Sequence, residues 1–144
     1  MIKSILITGG GSGIGSAVAS KLADCGCKVI VSGRRSELLE AVADYSPNIL
    51  AVTADVTDQH DQTKLATAIS KLPTPRALFH GAGYFQLGQL NNLKSDDWQR
   101  SFDTNVSARW ALSTKWEPYL QNGEYYLSDQ ILDQMCEWVG LHTL

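Results

Sequence analysis

Residues Ile5 to Gly15 read ILITGGGSGIG, and this stretch decides the fold. A short β-branched apolar run breaks into glycine, then reopens as SAVASKLADCG, whose apolar positions have helical spacing. The order is strand, tight turn, helix N-terminus, which is what a dinucleotide pyrophosphate requires. The spacing is Thr8-Gly9-x-x-x-Gly13-Ile14-Gly15. Gly9 permits a sharp turn out of the strand, and Gly13 removes a Cβ from the path of a phosphate. Gly15 lets the helix pack closely on the sheet. With the backbone N–H groups of Ser12 to Gly15 aimed at the phosphates, Thr8, Gly9, Gly11, Ser12, Gly13, Ile14 and Gly15 are candidate cofactor contacts.

Outward from this stretch, strand-like and helix-like segments alternate. Strands are expected at Ser4–Thr8, Lys28–Ser32, Ile49–Thr53 and Ala77–His80, with a fifth at Tyr125–Leu127. Helices are expected at Ile14–Cys25, Glu37–Tyr45, Gln62–Leu72 and Asp97–Trp116, the last with Ser95 as N-cap. This rhythm predicts an α/β fold, a Rossmann-type doubly wound parallel sheet with strand order 3-2-1-4, incomplete on its C-terminal side. Residues 1–144 read as a single domain, of which 123–144 form an atypical tail.

Composition narrows the function. The chain has 144 residues, 44% hydrophobic, 12 glycines and a net charge of −3, which argues against nucleic acid as partner. No apolar run has the length to span a bilayer, and MIKSILITGG reads as a first strand with no cleavage site, so a cytoplasmic, membrane-free protein is expected. Cys25, Cys27 and Cys136 read as small packing residues, because no second pair or histidine completes a metal site.

The TGxxxGIG motif resembles the short-chain dehydrogenase/reductase family, and three further motifs follow in order. Asp55-Val56 follows the third strand, where the family contacts the adenine ring. His80-Gly81-Ala82-Gly83 resembles the family's Asn-Asn-Ala-Gly, and WQRSFDTNV resembles its long helix with a functional asparagine, here Asn105. The resemblance covers residues 4–115 and implies an oxidoreductase. Such an enzyme passes hydride between NAD(P) and a small-molecule carbonyl or alcohol substrate, and relatives associate as homo-oligomers through helices. The second strand ends VIVSGRR. NAD-preferring relatives usually carry an acid where this chain has Gly33. Arg34 and Arg35 suit a 2′-phosphate by charge and bidentate geometry, so NADP is expected over NAD. The alternative is that the two arginines solvate the start of a helix.

The family's proton chemistry resides in a tyrosine, a lysine four residues later, and a serine about thirteen residues before the tyrosine. A tyrosine titrates near ~10 and needs a nearby cation to act at working pH. Here the residues four after Tyr45, Tyr84, Tyr119, Tyr125 and Tyr126 are Ile49, Gly88, Gly123, Asp129 and Gln130. No lysine or arginine follows Lys115. Of the family's catalytic positions, only Asn105 is expected. When codons from Gly123 onward are read one base out of register, a permitted choice of third bases resembles the family's fifth strand. Its serine falls across Asp129/Gln130 and its tyrosine across His142/Thr143. The expectation is therefore a reductase truncated or frame-shifted after about Gly123. A natural C-terminal helix is the alternative, capped by Ser128 or Asp129 with Ile131, Leu132, Met135, Cys136 and Val139 as its apolar stripe. The functional choice lies between an NADP-dependent oxidoreductase and an inactive NADP(H)-binding module or vestigial fragment.

Other residues carry less. His60 reads as solvated, and Asp58 and Asp61 read as capping or surface groups with no metal. Trp98, Phe102 and Val106 recur at helical spacing and are expected in the core. Ser113 and Lys115 match no family motif position.

Overall fold

The computed structural model describes residues 2–119 and 125–128. β1 (Ser4–Thr8) leads through the glycine turn into α1 (Gly13–Asp24), then β2 (Lys28–Gly33), α2 (Ser36–Ala43), β3 (Ile49–Thr53), α3 (Gln59–Ser70) and β4 (Arg76–His80). All strand pairs are parallel and the sheet order is β3-β2-β1-β4-β5, with β5 at Tyr125–Ser128. This is the expected Rossmann-type arrangement, with β1 at its centre.

The sheet is buried on both faces, as a parallel sheet requires. Side-chain alternation divides the core in two. Ile5, Ile7, Val29, Val31 and Phe79 pack with α1 and α2 residues such as Ala19, Leu22 and Leu39. Leu6, Ile30 and Leu78 point the other way, against Leu65 and Ile69 of α3 and against Leu112 and Trp116. Each such apolar side chain removed from water contributes about 1.5–3 kcal/mol. Cys27 belongs to the first cluster, and burial pushes its thiol pKa up, in keeping with a packing role.

Boundaries differ from expectation where capping decides them. α3 begins three residues early because Asp58 Oδ1 accepts from the Asp61 amide at 2.8 Å, closing the first turn. Asp58 is thus a capping residue, as expected, while Asp61 accepts the Asp55 amide through Oδ2 at 2.8 Å. Ser95 is not an N-cap. It is the first helical residue, Lys94 precedes it, and the Lys94 amide donates to Asp97 Oδ2 at 3.2 Å.

The expected single helix over 97–116 is three consecutive segments: α4 (Ser95–Phe102), a π-helical turn (Asp103–Ser107) and α5 (Ala108–Trp116). Trp98, Phe102 and Val106 are not core residues. Trp98 is 68% exposed, and with Trp110 at 70% the four residues form an apolar stripe on the outer side. The face turned to the sheet is instead that of Ala108, Leu112 and Trp116. The tail helix expected beyond Ser128 lies outside the described residues.

Candidate functional site

The carboxyl ends of the strands open into a cleft of about 880 Å3, at the upper end of the usual range for cofactor sites. Its floor is the turn after β1. Gly9 adopts φ +70°, and a Cβ there would strike the backbone of Gly81. Gly15 has no room either, because its Cβ would meet the Gly9 carbonyl, so α1 presses directly on the turn. Gly13, at φ +57°, has nothing within 4 Å of where a Cβ would stand. Ser12 caps α1 by position but makes no side-chain cap bond, which leaves the first-turn amides of a 12-residue helix without that partner. A helix N-terminus without a side-chain cap, its dipole and an open backbone are features that could receive an anion.

Thr8 does not line the cleft. It is buried, and its hydroxyl donates to the Phe79 carbonyl at 3.3 Å while accepting the Ala82 amide at 3.2 Å. It thereby joins the turn after β1 to the turn after β4. Gly81, Ala82 and Gly83 from that second turn line the cleft opposite Gly9, Gly11, Ser12, Ile14 and Gly15.

Beyond β2 the wall is made by Gly33, Arg34 and Arg35, with Leu38 and Leu39 from α2. Beyond β3 it is made by Ala54, Asp55, Val56 and Thr57. Asp55 is tightly held: its Oδ1 accepts from the Thr57 amide at 2.9 Å and the Thr57 hydroxyl at 2.7 Å, and its own amide donates to Asp61 Oδ2 at 2.8 Å. Burial pushes its carboxyl pKa up. The two Thr57 bonds and the Arg34 charge outweigh that, and the net result lies below the ordinary value.

Gly13, like Thr8, is not among the residues lining the cleft, and two more expected site residues face elsewhere. His80 is 7% exposed and points to the α5 side, where its Nε2 lies 3.0 Å from Ser113 Oγ. Strand alternation explains this. Phe79 takes the cleft side, so His80 takes the opposite one. Asn105 sits in the π turn with its amide spread over Tyr84: Oδ1 accepts from Tyr84 N at 2.9 Å, and Nδ2 donates to Tyr84 O at 2.8 Å and to Ser101 Oγ at 3.2 Å. It fixes the loop after β4 and does not line the cleft.

Sequence reasoning missed Tyr84, Arg100, Asp103 and Thr104, which close the cleft from the loop and the helix across it. A signal was available for Asp103 and Thr104 because they immediately precede Asn105. None marked Arg100.

A family model for short chain dehydrogenase matches residues 3–125. An uncharacterized oxidoreductase of Listeria monocytogenes is 39% identical over 110 residues, 72% of this chain and 44% of the relative. The sulfoacetaldehyde reductase 2 of Chromohalobacter salexigens is 33% identical over 107 residues, 71% of this chain and 42% of the relative. Thus the chain spans less than half the length of these curated relatives. Among solved structures, a doubly substituted short-chain dehydrogenase/reductase from Serratia marcescens superposes with a TM-score of 0.79 at 26% identity, over 88% of this chain and 54% of the other. A serine dehydrogenase complexed with NADP+ superposes with a TM-score of 0.77 over 87% of this chain and 52% of the other, and at 22% identity it bears on the fold alone. Among the described residues, no helix is long and apolar enough to cross a membrane. The glycine turn at the carboxyl end of β1 in a parallel sheet, the matching relatives and the shared fold agree: this chain belongs to the short chain dehydrogenase family of oxidoreductases.

Proposed function

We propose that this chain is the NADP(H)-binding part of a reductase or dehydrogenase acting on small carbonyl or alcohol substrates. One observation carries the reading: Gly9, Gly11, Ser12, Ile14 and Gly15 of the glycine turn, the Arg34–Arg35 pair and Asp55 line a single continuous cleft. Strand order supplies the direction. β2 and β3 lie on one side of β1, so the adenosine 2′-phosphate sits by Arg34 and Arg35, with the adenine ring by Asp55 and Val56. β4 lies on the other side, so the nicotinamide end runs toward Gly81–Gly83. Pyrophosphate rests on the amides of Ser12 to Gly15, and hydride exchange is the chemistry the coenzyme supplies when bound. Thr8, His80 and Asn105 act from outside the cleft, holding its turns and helix in place.

The proton-handling residues are the weak part of this chain as an enzyme. No tyrosine in this sequence is followed four residues later by lysine, the arrangement that the family resemblance implies for proton transfer. We therefore read the 144-residue chain as binding coenzyme without turning substrate over. Free Cys25 and Cys27 fit a cytoplasmic, reducing setting. A second copy is the partner this reading gives to the outward stripe of Trp98, Phe102, Val106 and Trp110.

Fluorescence titration with NADPH and NADH, followed by an NADPH-oxidation assay over a panel of ketones and aldehydes, tests both parts. Tighter binding of NADPH with no turnover is expected. Preference for NADH would remove the arginine assignment, and robust turnover would remove the inactive reading.

A further inference from the structure

At the end of α1 a tight turn brings two thiols together. Cys25 terminates the helix, Gly26 follows at φ +82°, and Cys27 leads into β2. The Gly26 amide donates to the Ala23 carbonyl at 3.0 Å and the Cys27 amide to the Leu22 carbonyl at 3.1 Å, the paired bonds of a left-handed helix stop. A residue of helical curvature, in either hand, brings the Cα atoms on its two sides to about 5.4 Å of one another. That lies within the span of about 4.4–6.8 Å that a disulfide bridges.

The two side chains differ in exposure. Cys25 and Gly26 are exposed. Cys27 is 4% exposed, packs in the core with Ile2 and Leu22, and donates its thiol to the Ile2 carbonyl at 3.2 Å. Both thiols are free. Burial pushes the Cys27 pKa up, and the neighbouring Cys25 charge pushes it further. Cys25 is therefore the sulfur that an oxidant in solution reaches first, while Cys27 stays protonated until its partner draws it out.

We propose that Cys25 and Cys27 form a reversible dithiol–disulfide site, closed by a low-molecular-weight disulfide and reopened by its thiol, with closure withdrawing Cys27 from the core. The Cys25 thiolate attacks one sulfur of a disulfide such as glutathione disulfide and expels a glutathione thiolate. Cys27 then gives up its proton, its sulfur attacks the Cys25 sulfur of the mixed disulfide, and a second glutathione leaves. The two protein thiols lose two electrons and the small disulfide gains them. Closure forfeits the Ile2 bond and the packing against Leu22, so the bridge is labile and readily reduced. Neither cysteine lines the cleft, so the site is separate from coenzyme contact.

The test equilibrates the folded 144-residue chain in glutathione buffers, then quenches with acid, alkylates and maps by mass. Trypsin cuts after Lys21 and Lys28, releasing Leu22–Lys28 with both thiols and without Cys136. This peptide should become lighter by two hydrogen atoms and resist alkylation. Its closed-to-open ratio should rise about tenfold for each tenfold rise in glutathione disulfide over the square of glutathione. The melting temperature should fall on closure and return with dithiothreitol, whereas Cys25→Ser, altered at an exposed position, should melt alike at every ratio. A mixed disulfide at Cys25 that never resolves, alkylation of both thiols at every ratio, a bridge from either to Cys136, or closure only in denaturant would each overturn the pair. A melting temperature that rises on closure, or that shifts equally in Cys25→Ser, would overturn the withdrawal of Cys27 from the core.

Discussion

The Ala82 amide donates to Thr8 Oγ1 at 3.2 Å across 74 positions of sequence, and the same hydroxyl donates to Phe79 O. One buried side chain therefore fixes the separation between the two turns that form opposite walls of the cleft. Gly9 and Gly81 make the approach possible, because a Cβ on Gly9 would collide with the Gly81 backbone and one on Gly81 would lie 2.6 Å from Thr8 O.

Thr8→Val keeps the shape and removes both bonds, leaving the Ala82 amide without its acceptor. Stability should fall by about 1–3 kcal/mol in chemical denaturation. Dinucleotide affinity should fall with it, because the walls are no longer held at their spacing. Undiminished affinity at reduced stability would mean that the Thr8 bonds serve the fold alone.

Gly13 and Gly15 should separate binding from stability. In Gly15→Ala the new Cβ would meet the Gly9 carbonyl and Gly10 Cα, so the backbone must shift and the melting temperature should drop. Gly13→Ala has open space around it and costs about 1–2 kcal/mol for the left-handed backbone. Its methyl group would stand where the pyrophosphate is expected. A thermal melt and a coenzyme titration on both variants should show Gly15→Ala dominated by unfolding and Gly13→Ala by lost affinity beyond its stability change.

Asp55 links the cleft to pH. Burial raises its carboxyl pKa, but the Thr57 bonds and Arg34 lower it further, so the folded value is depressed. The neighbouring carboxylates are Asp58 and Asp61, with Arg34 the nearby cation. A depressed carboxyl stabilises the fold above its unfolded value, near ~3.9, and that contribution disappears as pH falls through the folded value. Melting temperatures of the unaltered chain and Asp55→Asn should differ above about pH 4 and converge below it. Curves that run parallel down to pH 2 would contradict this.

The outward stripe gives a fourth expectation. Trp98 and Phe102 rings lie 5.8 Å apart on α4, and the exposed apolar residues continue to Val106 and to Trp110 on α5, whose opposite face is already committed to the core. Sedimentation of the unaltered chain should show self-association, and Trp98→Lys with Trp110→Lys should give a monomer. A monomeric unaltered chain at high concentration would remove the second copy as partner.

The sheet was legible in the sequence to within a residue at each strand, because buried parallel strands are short unbroken apolar runs bounded by glycine or polar turns. Helical period was less informative. It correctly grouped Trp98, Phe102 and Val106 on one face, but period alone does not say which face meets the sheet. Ala108, Leu112 and Trp116 won that contact through packing with α3, a tertiary fact. In the cleft, local motifs found the glycine turn, Arg34 and Asp55. Arg100 and Tyr84 come from the far wall, brought near by the crossing of chain segments. His80 was misplaced by matching a motif without applying the strand's own alternation.

The wide turn at Asp103–Ser107 reconciles two obligations with different periodicities. An α-helix advances 3.6 residues per turn, so side chains four apart drift steadily around its axis, and one looser turn cancels part of that drift. That correction lets Asn105 clasp the loop at Tyr84 while Leu112 and Trp116, farther along, still reach the hydrophobic interior. Excising a single residue from this turn would rotate everything downstream by about 100°, and the helix could then honour one of these engagements but not both.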